Sequence, residues 1–458
     1  MSIAERFDND AGHRALTREM AEWLAGLKAG DISPSAYEWA RHAMLDWFGV
    51  TIAGAREPLV DMLVEEYAGD GSRPHVVVVR GTTASLANAA LINGATSHAL
   101  DYDDVNRRLG GHPTAPVAPV ALAMGELLGA SGRDVLAGLI AGTEIECLIG
   151  DMGAHGHYEV GFHATATLGT FGAAAAAAHM MKLDASAVRH AIGIAASQAA
   201  GLKSNFGTMT KPLHAGKAAM NGLMAARLAA RGFTANDSII ECPMGIADVM
   251  MPDFSSGATQ PNPVGYYAIE QTLFKYHAAC YLTHASMNAI NELRMKHGIG
   301  LDDLRSLALH VNPGLFTVCN IPDPATGLEI KFSIRHCAVM ALDGADTAAL
   351  ETYSDANAVD ARYGAARAKT KVVGTDSIDR MASRVVIELN DGRTLESMDD
   401  VGVHAADVAG QWDKLSAKFQ SLTVPVVGKE RAGKLAREIA GLDQADDIKA
   451  LMEAAKQG

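Results

Sequence analysis

The sequence predicts a multidomain protein of the α and α+β classes, in which a large all-helical domain is interrupted by a smaller α+β domain. With 458 residues, the chain is too long for one ordinary hydrophobic core. Its composition, with 45 glycines and only 5% aromatic residues, favours close helix–helix packing. Strand-like runs are concentrated after residue 300. We therefore predict a helical domain over residues 1–268 and 402–458, with an α+β domain over 269–401.

The first helical segment contains clear signals for where helices start and which residues they include. Ala36–Gly54 has apolar residues at helical spacing, and Ser33-Pro-Ser35 before it is a typical helix start. The same reasoning predicts helices over Val117–Leu128, Asp134–Cys147 and Gly169–Met181. The last of these contains six consecutive alanines, which favour a helix and let neighbouring backbones approach closely. His75–Gly81 is the exception, because its short β-branched run predicts a lone strand or an extended segment.

The chain changes character after a polar loop between Pro252 and Pro263. A long helix is predicted over Ala278–His297. Strands are then predicted at Ser306–Val311, Lys371–Val373 and Arg384–Leu395. Asn390-Asp391-Gly392 divides the last run and predicts a β-hairpin. Charged, alanine-rich helices return from Ala406 to the end.

Bulk properties exclude several classes of function. The net charge of −14, without a large basic cluster, argues against a nucleic-acid partner. The five cysteines are widely spaced with no CxxC pair, which indicates neither a disulfide framework nor a zinc knuckle. Neither a signal peptide nor a membrane span is apparent, so we expect a cytoplasmic location and no membrane partner.

The segment from His98 to Thr114 is the strongest candidate for acid–base chemistry. It concentrates three carboxylates and two imidazoles at the end of an apolar helix. Such groups are costly to bury unless they are paired or used in function. If the helix continues, Asp101 and Asp104 share one face and Asp103 points elsewhere. The alternative is a capped helix end with solvated aspartates.

Three histidines, His155, His157 and His163, lie within nine residues before the alanine-rich helix. They could bind a metal together with Glu159, although glycines within the segment make a helix there doubtful. We expect His163 to lie at the positive N-terminus of the alanine-rich helix, where the helix dipole lowers its pKa and keeps it neutral.

The loop Gly201–Gly216 is rich in hydroxyl and backbone donors and carries Lys203, Lys211 and His214. It suits a carboxylate better than a phosphate, because the GxxxxGK[ST] spacing is absent. A helix predicted to start near Pro212 would add its N-terminal amides. In the second domain, Lys275 and the pair Arg335-His336 place cations beside apolar residues.

Together these motifs resemble the MmgE/PrpD family, which includes 2-methylcitrate dehydratase, cis-aconitate decarboxylase and iminodisuccinate epimerase. The matching motifs are Asn93–Asp104 with His112-Pro113, Gly161–His163, Gly207–His214, Phe274-Lys275 and Lys331–Ser333. The resemblance implies a helical domain with an inserted α+β domain, a homodimer, and catalysis with neither cofactor nor metal.

The resemblance also implies which residues act. Carried over motif by motif, the catalytic residues are Asp101, His112, His163, Lys211 and Lys275. The candidate substrate-binding residues are Lys203, His214, Arg335, His336 and Tyr102. Val105 stands where the decarboxylase has threonine, and Phe316–Cys319 lacks the tyrosine expected there. These departures predict a substrate other than cis-aconitate.

The leading hypothesis is a cofactor-independent lyase that acts on a small di- or tricarboxylate, as 2-methylcitrate dehydratase does. An epimerase of an aminodicarboxylate such as iminodisuccinate is the second hypothesis. Two others are a metal-dependent hydrolase using His155, His157, His163 and Asp101, and a non-catalytic carboxylate-binding dimer. Whether Asp101 or His112 is the base stays open.

Overall fold

The structure, a computed structural model, describes residues 14–69, 74–256 and 266–456. They divide into two compact units, one spanning Met1–Thr272 with Asp407–Gly458, the other Leu273–Ala406. The first unit is predominantly helical, and the second combines helices with a four-stranded sheet. The predicted fold class is therefore confirmed. Residues 257–263 of the predicted polar loop lie outside the described residues.

The described part of the first unit is built largely from helices, with three very short strands between them. The helices are α1 (Leu16–Gly26), α2 (Pro34–Gly54), α3 (Pro58–Tyr67), α4 (Leu86–Ser97), α5 (Thr114–Leu128), α6 (Gly132–Asp151), α7 (Ala154–Glu159), α8 (Ala164–Met180), α9 (Ala185–Ala196), α10 (Thr210–Ala229) and α11 (Ile246–Met250). The strands are β1 (His75–Val76), β2 (Thr83–Ala84) and β3 (Val105–Asn106).

Helix α2 starts as its sequence predicts. The Ser33 hydroxyl accepts a hydrogen bond from the Ala36 amide at 3.1 Å, and Pro34 occupies the first turn, where it needs no amide partner. The other three predicted helices lie at α5, α6 and α8, each of which starts earlier than predicted. The strand or extended segment predicted over His75–Gly81 is too long: β1 ends at Val76, and Val79 adopts a positive φ of 59°.

Helices α4 and α10 cross at unusually close range. A Cβ atom on Gly94 would lie 3.1 Å from the Gly216 Cα, and one on Gly216 would lie 2.3 Å from the Leu91 carbonyl oxygen. Only glycine permits this approach. The crossing brings the start of α10 beside the end of α4.

The second unit contains a mixed sheet and short helices. Its elements are α12 (His284–His297), β5 (Leu304–Val311), α13 (Gly327–Ile330), α14 (Ile334–Asp343), α15 (Asp355–Ala358), α16 (Ala361–Ala368), β6 (Thr370–Gly374), β7 (Ala382–Leu389) and β8 (Thr394–Asp400), with β4 (Thr272–Leu273) at its boundary. The sheet order is β6-β5-β7-β8, with β5 parallel to β6 and the other pairs antiparallel.

The predicted hairpin is present between β7 and β8, where the Leu389 amide donates to the Arg393 carbonyl and Gly392 takes a φ of 91°. Helix α12 begins at His284 instead of the predicted Ala278. The intervening residues include a 3₁₀ turn at Tyr281–Thr283, and the Cys280 amide bonds to the Lys331 carbonyl instead of a helical partner.

The chain returns to the first unit with α17 (Val408–Ala440), which is broken at Gly428, and α18 (Lys449–Ala455). Lys418 of α17 is buried and bonds to Asp46 of α2 at 2.6 Å and to the Tyr102 carbonyl at 2.8 Å. Within the described ranges, every helix is too short or too polar to cross a bilayer.

Candidate active site

Four helix ends of the first unit converge on one cluster of titratable side chains. Helix α4 ends at Ser97, just before the aspartates, and α5 starts two residues after His112. His163 directly precedes α8, and Lys211 is the second residue of α10. The N-termini of α5, α8 and α10 therefore meet here, and each contributes the partial positive charge of its helix dipole.

Asp101 lies at the centre of the cluster. Lys211 Nζ is 2.9 Å from Asp101 Oδ1, and His112 Nε2 is 3.5 Å from the same oxygen. Asp101 adopts a left-handed φ of 51°, which ends the helical path and turns its carboxylate toward Lys211. The helix therefore does not continue, so the shared helix face of Asp101 and Asp104, which required a continuing helix, does not form.

Asp103 lies between two imidazoles. His98 Nδ1 is 2.9 Å from Asp103 Oδ2, and His112 Nδ1 is 3.2 Å from the same oxygen without the alignment of a hydrogen bond. Burial alone would raise the pKa of Asp103, but the His112 and His98 rings outweigh it and hold that pKa well below its usual range. Asp103 is therefore a buried carboxylate whose charged oxygens face the rings of His98 and His112.

Asp104 has a different environment. Its carboxyl accepts a hydrogen bond from the Thr114 hydroxyl at 2.5 Å. Burial, together with the charge of Asp46, raises the pKa of Asp104 well above its usual value. The side chain is therefore neutral near pH 7 and is not available as a base.

His112 is held between these carboxylates by backbone contacts. The Asn106 amide bonds to the Gly111 carbonyl at 2.9 Å and closes the intervening loop. The His112 amide then donates to the Thr165 hydroxyl at 3.0 Å. Thr165 thus helps to fix His112, whose side chain is 12% exposed.

The opposite wall of the cluster is formed by His163 and His214. Their Nδ1 atoms are 3.0 Å apart, so one nitrogen donates and the other accepts. The His163 ring stacks on His98 at 5.8 Å between centroids and meets the edge of Phe206 at 5.0 Å. Burial and then the Lys211 charge lower the pKa of His163 well below its usual value. His163 is neutral as expected, with burial in place of the predicted helix dipole as the main cause.

Lys203 and Tyr102, two of the predicted substrate-binding residues, make contacts that stabilise the fold. Lys203 Nζ donates to the Tyr158 carbonyl at 2.8 Å and lies 3.6 Å from the centre of the Tyr158 ring. The Tyr102 ring lies 4.0 Å from Lys418 Nζ. None of these contacts is with Asp101.

Lys275, Arg335 and His336 belong to the second unit. Lys275 is almost fully buried. Arg335 Nη1 donates to Asn320 Oδ1 at 2.5 Å, and Arg367 donates to His336 Nδ1 at 2.7 Å. Burial and the Arg367 charge lower the pKa of His336 to about 4. Their roles toward substrate stay predictions.

The metal site considered around His155 and His157 does not form. His155 is exposed, whereas both ring nitrogens of His157 contact protein groups, the Met250 carbonyl at 3.0 Å and the Thr167 hydroxyl at 2.6 Å. Among the described residues, a different set presents ligand atoms within 4.8 Å of one another: His98, Asp101, Asp103 and His112. There, however, the Lys211 ammonium already contacts Asp101, so a divalent cation would have to displace it.

Sequence reasoning missed Asp103, His98 and Phe206. The Lys211 ammonium lies 5.1 Å from the centre of the Phe206 ring, which also contacts His163. A signal for Asp103 was present, because residues 101 and 103 lie on the same side of an extended segment. The assembled site combines an ammonium, two carboxylates and four imidazoles in a nearly dry environment, which suits proton transfer to and from an anionic substrate.

Comparison with known proteins agrees with this organisation. The MmgE/PrpD N-terminal domain matches residues 18–258, and the MmgE/PrpD C-terminal domain matches residues 277–444. Human cis-aconitate decarboxylase is 25% identical over 464 residues, which cover 96% of this chain and 94% of that protein. The Aspergillus terreus cis-aconitate decarboxylase is 26% identical, with 96% and 95% covered. Because the N-terminal match alone spans more than half of the sequence, the chain belongs to the MmgE/PrpD family.

Proposed function

We propose that this protein is a cofactor-independent lyase that acts on a small di- or tricarboxylate by moving a proton at the carbon next to a carboxylate. The observation that carries the proposal is the buried ion pair of Lys211 with Asp101, surrounded by His112, His163 and Asp103. The similarity to cis-aconitate decarboxylases supports a carboxylate substrate and lyase chemistry.

Recognition of the substrate is assigned to Lys211 and the helix N-termini around it. An ammonium can bind a substrate carboxylate and stabilise the aci-carboxylate charge that develops when the neighbouring carbon loses its proton. The amides at the starts of α5, α8 and α10 add positive potential. Lys275 is proposed as a second carboxylate ligand on the strength of the family resemblance.

Acid–base chemistry is assigned to His112 with Asp101 on one side of the reacting carbon and His163 on the other. In a dehydration, the base takes the carbon-bound proton and the C–H electron pair forms the double bond. The hydroxyl group departs as hydroxide, takes up a proton on the His163 side, and leaves as water. His163 shares one hydrogen with His214, so it can present a ring N–H to the departing oxygen.

Dehydration of a substrate like 2-methylcitrate is our first choice among the possible reactions. This chain has Val105 where the decarboxylase has a threonine, and its segment Phe316–Cys319 lacks the decarboxylase's tyrosine. Both differences favour a substrate other than cis-aconitate. Epimerisation of an aminodicarboxylate is the second candidate, because titratable groups on both sides of the cluster could exchange a proton on either face. A homodimer in the cytoplasm, implied by the resemblance and the sequence, forms part of the proposal.

The test is a substrate panel with two lysine variants. Citrate, methylcitrate, aconitate and succinate derivatives are screened for double-bond absorbance and for deuterium uptake from D₂O. Lys211→Ala should lower kcat/KM by at least about 10²–10³ on any active substrate, because a charge-stabilising donor is lost. Lys217→Ala is the matched control, since Lys217 is an exposed residue of the same helix.

Circular dichroism should show both variants folded. Wild-type turnover in Lys211→Ala would remove Lys211 from the mechanism. A wild-type protein that binds these carboxylates without turnover or deuterium exchange would instead support the non-catalytic hypothesis.

A further inference from the structure

We propose that Asp103, anchored by His98, is a positioning residue that fixes the tautomer of His112 and makes His112 Nε2 the atom that carries the substrate proton. The kinetic part of this inference rests on the proposed function, whereas the tautomer part does not. It answers a question that the sequence leaves open, namely which of Asp101 and His112 is the base.

The geometry around Asp103 determines where the ring hydrogens lie. An ionised carboxylate can only accept hydrogen bonds. Asp103 Oδ2 lies 2.9 Å from His98 Nδ1 and 3.2 Å from His112 Nδ1, and its side chain is 2% exposed. Both rings are therefore favoured with hydrogen on Nδ1, and a small rotation of the His112 ring would complete its hydrogen bond. A neutral His112 of this kind has a bare Nε2, ready to accept a proton.

His98 holds Asp103 without neutralising its charge. The His98 side chain is fully buried, and burial lowers its pKa to about 4, so that the ring stays neutral near pH 7. Its Nε2 has no hydrogen-bond partner among the described residues, which leaves the Nδ1 contact to Asp103 as its polar anchor. The charge of Asp103 therefore remains available to His112.

The charges on the two sides of His112 differ. On the Nε2 side, Asp101 is already neutralised by the Lys211 ammonium at 2.9 Å. On the Nδ1 side, no lysine or arginine contacts Asp103 within the described ranges. The other titratable groups that face this ring system are His98 and His163, both neutral. The uncompensated negative charge thus lies where it stabilises the imidazolium that forms when Nε2 takes a proton.

Asp104 provides a matched control beside Asp103. It is equally buried, but its carboxyl bonds to Thr114 instead of His112. Because its pKa is raised well above the usual value, Asp104→Asn exchanges one neutral side chain for another of the same shape. In contrast, Asp103→Asn replaces an acceptor by an amide that can donate to His112 Nδ1 and favour the opposite tautomer.

The first experiment reads the tautomer directly. Long-range ¹H–¹⁵N spectra of ¹⁵N-histidine-labelled protein are recorded, and the His112 signal is identified by its loss in His112→Gln. We expect the hydrogen of neutral His112 on Nδ1 in the wild type and in Asp104→Asn, and on Nε2 in Asp103→Asn. A wild-type His112 with its hydrogen on Nε2 would overturn the proposal, and this measurement needs no substrate and no substitution at Asp103.

The second experiment uses turnover of whichever panel carboxylate is active. We expect Asp103→Asn to lower kcat by a factor of about 10²–10⁴, with KM changed less than threefold. It should also alter the limb of the kcat/KM pH profile that reports ionisation of the catalytic base. Asp104→Asn should keep kcat and the profile within about twofold of the wild type. A folded Asp103→Asn with wild-type kcat and pH profile, or an equal loss in both variants, would overturn the positioning role.

Discussion

The buried pair of Lys418 and Asp46 yields the most quantitative prediction for this fold. Lys418 is 5% exposed and Asp46 1% at their side chains, with 2.6 Å between Nζ and Oδ1. Lys418→Met keeps the length of the side chain but leaves the Asp46 carboxylate buried without its cation. Removing one partner of such a pair costs about 3–5 kcal/mol.

The expected loss can be converted into a melting temperature. For a unit of about 300 residues, an unfolding entropy of about 2 cal/mol/K per residue makes 3–5 kcal/mol equivalent to a fall of about 5–8 °C. Replacing both partners, as in Asp46→Asn with Lys418→Met, should recover most of that loss, because no unpaired charge remains. Scanning calorimetry and urea unfolding of the two single variants and the double variant measure the coupling.

Activity should respond as well. Lys418 also donates to the Tyr102 carbonyl at 2.8 Å, one residue from Asp101 and Asp103. We expect Lys418→Met to reduce kcat/KM even at temperatures where the protein is folded, and the double variant to restore stability without restoring activity fully. A loss below 1 kcal/mol in Lys418→Met, or no recovery in the double variant, would refute the reasoning.

Two further predictions concern pH and metals. The unfolded chain binds protons below pH 6.5 that the folded first unit does not, because burial lowers the pKa of six of its histidines. The shift is large for His42, His98, His163 and His214 and smaller for His157 and His179. Asp104 and Glu146, whose pKa values burial raises, act in the opposite sense. The net difference of at least about two protons should lower the free energy of unfolding by about 2.7 kcal/mol or more per pH unit as the pH falls near 5. Equal stability at pH 5 and 7 in urea unfolding would contradict this. Added Zn²⁺ should inhibit the enzyme by competing with Lys211 for the ligand atoms of His98, Asp101, Asp103 and His112, which lie within 4.8 Å of one another. EDTA should reverse this inhibition. An enzyme that loses activity on chelation and regains it only with Zn²⁺ would contradict the metal-independent proposal.

Local sequence signals predicted much of the fold. Ser33-Pro34 defined the start of α2 because a serine cap and a proline act within one turn. Asn390-Asp391-Gly392 located the hairpin because a positive φ is needed there. Non-local effects caused the errors. The Cys280 amide pairs with a distant carbonyl, which delays α12 until His284.

The residues of the candidate site could likewise be predicted only in part from the sequence. The family motifs identified Asp101, His112, His163 and Lys211, and the structure brings these four together in one cluster. The choice between Asp103 and Asp104 could not be made from spacing. It depends on the left-handed backbone at Asp101, which sends Asp103 toward the imidazoles and Asp104 toward Thr114.

The contact of Gly94 with Gly216 has a consequence for engineering this enzyme. Gly216 lies five residues after Lys211, about 7.5 Å along a stiff helix. A methyl group introduced there would push two backbones apart and shift the start of α10. A displacement of about 1 Å at the Lys211 ammonium can cost a hundredfold in rate. Attempts to widen substrate range are therefore better aimed at Val105 or Phe206, and random libraries should hold the two glycines constant.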